Sequence, residues 1–118
     1  MGRPVMQFQI LSKDPERAAS FYGRLFEWKV DANNALGYRQ IKTGAGRGIE
    51  GGIWPSPPEG HAFVQLFVEV GDVGAHAARA AELGGRVVIP PQKLPDGDEL
   101  AICADAEGIP FGLYRAAR

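Results

Sequence analysis

The sequence predicts an α+β fold in which one strand–helix–three-strand unit is used twice. Three observations carry that prediction. The chain aligns with itself at an offset of 58 residues, so that Gln7 meets Gln65, Asp14 meets Asp72, Ala19 meets Ala77, Leu25 meets Leu83 and Val30 meets Val88. Residues 5–11 and 63–70 alternate apolar and polar side chains, and each run leads into an Asp that opens an amphipathic helix. The chain also holds 16 Gly and 9 Pro among its 118 residues, which predicts many turns and hence many short strands.

Taken in order, residues 5–11 (VMQFQIL) form the first strand. Asp14 is then the N-cap of a helix, with Pro15 in its first turn and Glu16 placing an acid there. Ala18, Phe21, Tyr22, Leu25 and Phe26 follow at helical spacing as one apolar stripe. Residues 28–30, 38–42 and 49–54 complete the first module, about residues 5–54, and the glycines at 44, 46 and 48 make a hairpin turn between two of these strands. The glycine run lies before a strand and not before a helix, so it lacks the geometry of a phosphate loop.

Residues 55–61 (PSPPEGH) are a linker too short to separate independent domains, so residues 1–118 are read as one domain. The second module, about residues 62–115, repeats the plan. Asp72 opens an Ala-rich helix running to Leu83, and Gly84 and Gly85 stop it. Residues 86–89, 99–104 and 110–114 are its remaining strands. Residues 90–98 (PPQKLPDGD) form a loop, and Asp105 to Gly108 shape the last turn.

Composition narrows the function classes. Thirteen Lys and Arg against 14 Asp and Glu leave a net charge of −1, with no electrostatic footprint for nucleic acid or an anionic membrane. No run of 18 apolar residues and no signal-like N-terminus are seen, and a single Cys fits a reducing compartment, so the expected location is cytoplasmic.

Strand alternation assigns faces. Met6, Phe8 and Ile10 in the first strand, Val64, Leu66 and Val68 in its repeat, Ile49 and Ile53, and Phe111 and Leu113 are expected to face the helices. That leaves Gln7, Gln9, Glu50, Gly52, Trp54, Gln65, Phe67, Glu69, Gly112 and Tyr114 on the other face. Cys103 is assigned to this face too, as a buried and unreactive thiol. Aromatic walls with a few polar anchors suit a small-molecule cleft. The same pattern is equally that of a solvated face of an antiparallel sheet. Trp28 is read as core and Trp54 as a ligand wall. His61 and His76 share no metal-ligand spacing and are read as solvated.

The runs DPERAASFYGRLFEW and VGDVGAHAARAAELGGRVV and the ending DAEGIPFGLY resemble the vicinal oxygen chelate superfamily, which includes glyoxalases, bleomycin-resistance proteins and extradiol dioxygenases. The resemblance covers nearly the whole chain. It implies two βαβββ modules forming a curled mixed or antiparallel sheet around a cleft, with the helices on the outer face. It also implies a divalent metal held at four cleft positions, which fall here on Gln7, Glu50, Gln65 and Gly112. The last has no side chain, and two amides with one carboxylate are a poor set for a divalent ion. No tightly bound metal or other cofactor is therefore expected. Gln7 and Gln65 are read instead as hydrogen-bonding a ligand or each other.

The leading expectation is a small-molecule-binding domain of glyoxalase or bleomycin-resistance type. Trp54, Phe67 and Tyr114 would contact a planar ligand and Gln7, Gln65 and Glu50 would anchor it. A metal-dependent lyase, isomerase or extradiol-type dioxygenase, with Glu50 as the catalytic candidate, is the first alternative. A dimeric interaction module without a small ligand is the second. A homodimer is expected, since members of the superfamily commonly pair.

Overall fold

The computed structural model describes residues 2–34 and 36–117. Its described residues form eight strands and two helices in the order β1 (Val5–Ser12), α1 (Pro15–Phe26), β2 (Lys29–Asp31), β3 (Arg39–Lys42), β4 (Glu50–Pro55), β5 (Phe63–Glu69), α2 (Val73–Glu82), β6 (Arg86–Lys93), β7 (Glu99–Ala104) and β8 (Pro110–Arg115). This is the α+β fold with a doubled βαβββ unit that the repeat predicts. The chain divides into two compact units, residues 7–65 and residues 1–6 with 66–118.

In the unit of residues 7–65 the strand order is β2-β3-β4-β1. β1 runs parallel to β4, with Gln7 beside Glu50, Gln9 beside Gly52 and Leu11 beside Trp54. β2, β3 and β4 are antiparallel neighbours. α1 begins as expected: Asp14 caps it by accepting from the Arg17 N–H at 3.1 Å, and Pro15 occupies the first turn. It lies against β2 and β4. Tyr22 and Phe26 meet Phe8 and Trp28 in an aromatic cluster, with Trp28 only 5.0 Å from Phe26 and 5.7 Å from Phe8 between ring centres. Yet α1 has no fully buried residue, and Phe21, Leu25 and Phe26 are more than half exposed.

In the other unit the order is β5-β8-β7-β6, with β5 parallel to β8 and the remaining pairs antiparallel. Asp72 caps α2 through the Ala75 N–H at 3.0 Å. The helix ends where Gly84 takes the left-handed φ of 97°, a conformation glycine adopts without a Cβ penalty. α2 covers β6, β7 and β8. Its alanines let it lie close, and Val70, Val73, Ala77, Ala101, Cys103 and Leu113 form a buried cluster with Val68, Ala80 and Phe111 at its edge.

Three expectations are corrected. Cys103 lies on the helix-facing side, fully buried in that cluster. Its neighbour one pleat away, Ala101, pairs with Leu113, which fixes the phase of β7. Val64 and Leu66 are not core: they are 59% and 46% exposed, and on β5 it is Val68 that packs against the α2 cluster. Finally, the proline segment is not all loop. β6 continues through Pro90 and Pro91 to Lys93 with register shifts on the way. β6 is paired on one side only, by β7, and such a strand tolerates residues without an N–H to donate. The connecting loop shrinks to about residues 94–98.

Candidate functional site

The polar face of the unit of residues 7–65 is organised around Gly52. Strand register places Gln9 on one side of it and Gln40 on the other. The Tyr38 ring lies over the glycine, where a Cβ would collide with the phenol oxygen and ring edge. Tyr38 precedes β3, and Asn34 sets its position. The Asn34 Oδ1 accepts from the Tyr38 N–H at 2.9 Å, and the Asn34 Nδ2 donates to the Tyr38 carbonyl at 2.7 Å. Both backbone groups of Tyr38 are thus held by one short side chain.

From there a chain of neutral groups runs inward. The Gln9 Nε2 donates to the Tyr38 hydroxyl at 3.4 Å, and the Gln9 Oε1 accepts from the Gln65 Nε2 at 2.7 Å. Gln65 is 95% buried, with a relative exposure of 5%, and its Oε1 has no partner among the described residues. An unpaired buried acceptor costs about 1–3 kcal/mol. Burial pushes the Tyr38 hydroxyl pKa above its ordinary value, an effect larger than the opposing one of the Gln9 hydrogen bond, so Tyr38 remains a protonated phenol near neutrality. Trp54 stands beside it, 40% exposed, its ring 5.8 Å from that of Tyr38 at 43°.

The expected site residues are distributed as follows. Gln65, read as bonding a ligand or Gln7, gives its Nε2–H to Gln9. Gln7 is half-buried beside Glu50 in the β1–β4 register. The Glu50 carboxylate accepts from the Thr43 N–H at 2.8 Å and so ties the two ends of the β3–β4 hairpin. In the second unit, Phe67 is 3% exposed and lies on Gly112, leaving no room for a side chain there. Tyr114 donates to the Asp98 Oδ2 at 3.2 Å, and Asp98 also accepts from the Ala117 N–H at 2.7 Å. Burial first, then Asp98, pushes the Tyr114 hydroxyl pKa upward. Burial raises the Cys103 thiol pKa as well, away from the thiolate range of reactive cysteines.

Gln9, Tyr38 and Asn34 were not among the candidates. Gln9 carried a signal, since alternation puts it on the same face as Gln7. The pairing of Gln9 with Tyr38, 29 positions away, had none.

The divalent metal implied by the superfamily does not fit these donors. Glu50 gives one carboxylate oxygen to the hairpin, the Gly112 position is filled by the Phe67 ring, and Gln7 and Gln65 offer only neutral amide oxygens. Among the described residues no three of His, Cys, Asp and Glu lie close enough together to share a metal ion. Neutral amides with one engaged carboxylate offer little to a dication.

Comparison with known proteins agrees with the doubled unit and its topology. The profile of the Glyoxalase-like domain family matches residues 7–114. The chain belongs to this family. This glyoxalase-like domain is 27% identical over 112 residues to "Putative glyoxylase CFP32" of Mycobacterium tuberculosis strain CDC 1551, an alignment covering 92% of this chain and 42% of that protein. The same values hold for the Mycobacterium bovis protein of that name. The domain therefore spans about two-fifths of the length of these relatives. Among solved structures it is similar to the hypothetical protein BH1468 of Bacillus halodurans C-125, with a TM-score of 0.71 and 11% identity over 100% of this chain and 97% of that one. It is also similar to methylmalonyl-CoA epimerase of Mycobacterium tuberculosis, with a TM-score of 0.66 and 17% identity over 97% and 88%. At these identities the likeness is one of fold, that of the vicinal oxygen chelate superfamily. None of the described helices is long and apolar enough to cross a membrane.

Proposed function

We propose that this glyoxalase-like domain binds a small planar organic molecule on the polar face of residues 7–65, without a tightly bound metal. One observation carries the reading. A half-exposed aromatic wall, Trp54 with Tyr38, stands next to a neutral hydrogen-bonded cluster whose innermost member, Gln65, is buried with an unpaired oxygen. Apolar walls beside a few fixed polar groups are the usual composition of a ligand site. A buried amide with an unused acceptor is poor design for stability alone. Gln7 and Glu50 flank the cluster as further anchors. Sequestration and turnover of the ligand are both compatible with this arrangement, and the donor chemistry weighs against a metal-dependent isomerase or dioxygenase.

Thermal-shift screening against planar compounds tests the proposal, because a ligand that binds only the folded state raises the midpoint. A hit should lose its shift in Trp54→Ala. A broad panel without any shift would count against the site.

A second reading concerns assembly. The apolar stripe of α1 is left open, with Phe21 59% and Leu25 58% exposed. We propose that a second copy of the chain covers it as a homodimer. Light scattering across a dilution series should show mass rising with concentration, and Leu25→Glu should hold the protein at monomer mass.

A further inference from the structure

We propose that the Tyr38 hydroxyl is the specificity-determining donor of this site, reading a neutral carbonyl oxygen on an aromatic ligand stacked at Trp54. The inference rests on the ligand-binding reading above and names the chemical class of ligand. Its argument is the direction of the hydrogen bonds. Gln65 gives an N–H to the Gln9 oxygen, which turns the Gln9 Nε2 toward the Tyr38 hydroxyl. The Tyr38 oxygen, which lies over Gly52, therefore accepts and keeps its own proton to donate. Among the described residues no acceptor takes that proton. Raised by burial, the phenol keeps it at neutral pH.

The surroundings decide what would receive the proton. Gln9, Gln65, Tyr38 and Trp54 carry no charge, and among the described residues no Lys or Arg hydrogen-bonds to this cluster. A carboxylate or phosphate would lack a counter-charge here, whereas a ketone, amide or quinone oxygen needs only one good donor. Trp54, with 40% of its surface open and its ring tilted 43° to that of Tyr38, supplies the flat apolar wall for the attached ring. Gln9 and Gln65 are positioning residues: they act on the ligand through the hydroxyl they orient.

Acetophenone and α-methylstyrene probe this directly, because they have the same shape and differ by C=O against C=CH2. Each is titrated into the whole chain while the Trp54 indole N–H is followed by NMR. Water solvates the ketone better, so the informative quantity is the ketone-to-alkene affinity ratio compared between proteins. That ratio should be about tenfold higher in the wild type than in Tyr38→Phe, with the alkene affinity unchanged. Gln9→Leu should lower it about threefold while keeping the phenol. An unchanged ratio in Tyr38→Phe would overturn the inference and leave the ligand site standing. If Tyr38→Phe loses its circular dichroism signature, an unchanged ratio in Gln9→Leu overturns it instead. Failure of both probes to shift Trp54 in the wild type would sink the aromatic-ligand site and this inference together.

Discussion

The two modules start from one plan and spend it differently. In the second, α2 is mostly alanine and lies close on its sheet, and Val70, Val73, Ala77, Ala101, Cys103 and Leu113 are closed off from water. In the first, α1 carries Phe21, Tyr22, Leu25 and Phe26, and none of its residues is fully buried. Each unit also lays an aromatic ring over a glycine on the face away from its helix, Phe67 on Gly112 and Tyr38 on Gly52. The Phe67 ring is sealed and purely apolar. Tyr38 is half-buried, carries a hydroxyl, and accepts from Gln9, which in turn accepts from Gln65. Small side chains give close packing and a stable core, whereas large ones hold the helix off and leave surface for other partners. The second module holds the closed core, and the first leaves its helix and its polar aromatic face open.

Substitutions can break this contrast. The largest expected effect is Gly112→Val, which drives a branched side chain into the enclosed Phe67 ring and should cost about 3 kcal/mol or prevent folding. Leu113→Ala should cost about 3 kcal/mol by opening a cavity in the α2 cluster, while Phe21→Ala on α1 should stay within about 0.5 kcal/mol. Urea denaturation measures both, and equal losses would mean that the two modules share the core evenly.

Two smaller changes sharpen it. α1 ends on Glu27 at a left-handed φ of 59°, where α2 uses Gly84. Glu27→Gly should therefore stabilise by about 1 kcal/mol, visible as a higher thermal midpoint. Gln65→Leu removes the buried oxygen that has no partner and also the N–H given to Gln9, so the two effects on stability oppose each other. It should leave stability unchanged or raise it by about 1 kcal/mol while weakening ligand binding. A marked loss of stability would show that the amide is structural.

The smallest effect is one of pH. Tyr38 and Tyr114 have folded-state pKa values above those of the unfolded chain. The folded protein thus holds these protons when the unfolded chain has begun to lose them. Their contribution is present below about pH 10, the ordinary tyrosine value, and is lost as pH rises beyond it. Replacing both tyrosines with Phe should flatten the fall of the thermal midpoint between pH 9.5 and 11, in proportion to these contributions.

Local rules made most of the fold legible. The caps at Asp14 and Asp72, the stop at Gly84, the glycine hairpin and the turn at Asp105, whose Oδ1 accepts from the Glu107 and Ile109 N–H groups at 2.9 Å, depend on residues within a few positions of each other. The candidate site was half legible. Alternation put Gln7, Gln9, Gln65, Glu50 and Trp54 on one face, but a two-residue period says nothing about which amide meets which. It also misleads where a strand is buried on both faces: in β7 residues 101–104 are all buried, and counting from the polar Glu99 puts Cys103 on the polar side, although it packs under α2.

The sequence by itself determined the doubled βαβββ plan, the family and the face shared by Gln7, Gln9, Glu50 and Trp54, because repeats, caps and periodicities are properties of neighbours along the chain. The tertiary structure decided that Gln65 bonds Gln9, that Gln9 faces Tyr38, that Glu50 closes a hairpin and that Phe67 fills the place of Gly112. Those pairings join residues brought together by strand register, and register is set by the whole sheet at once.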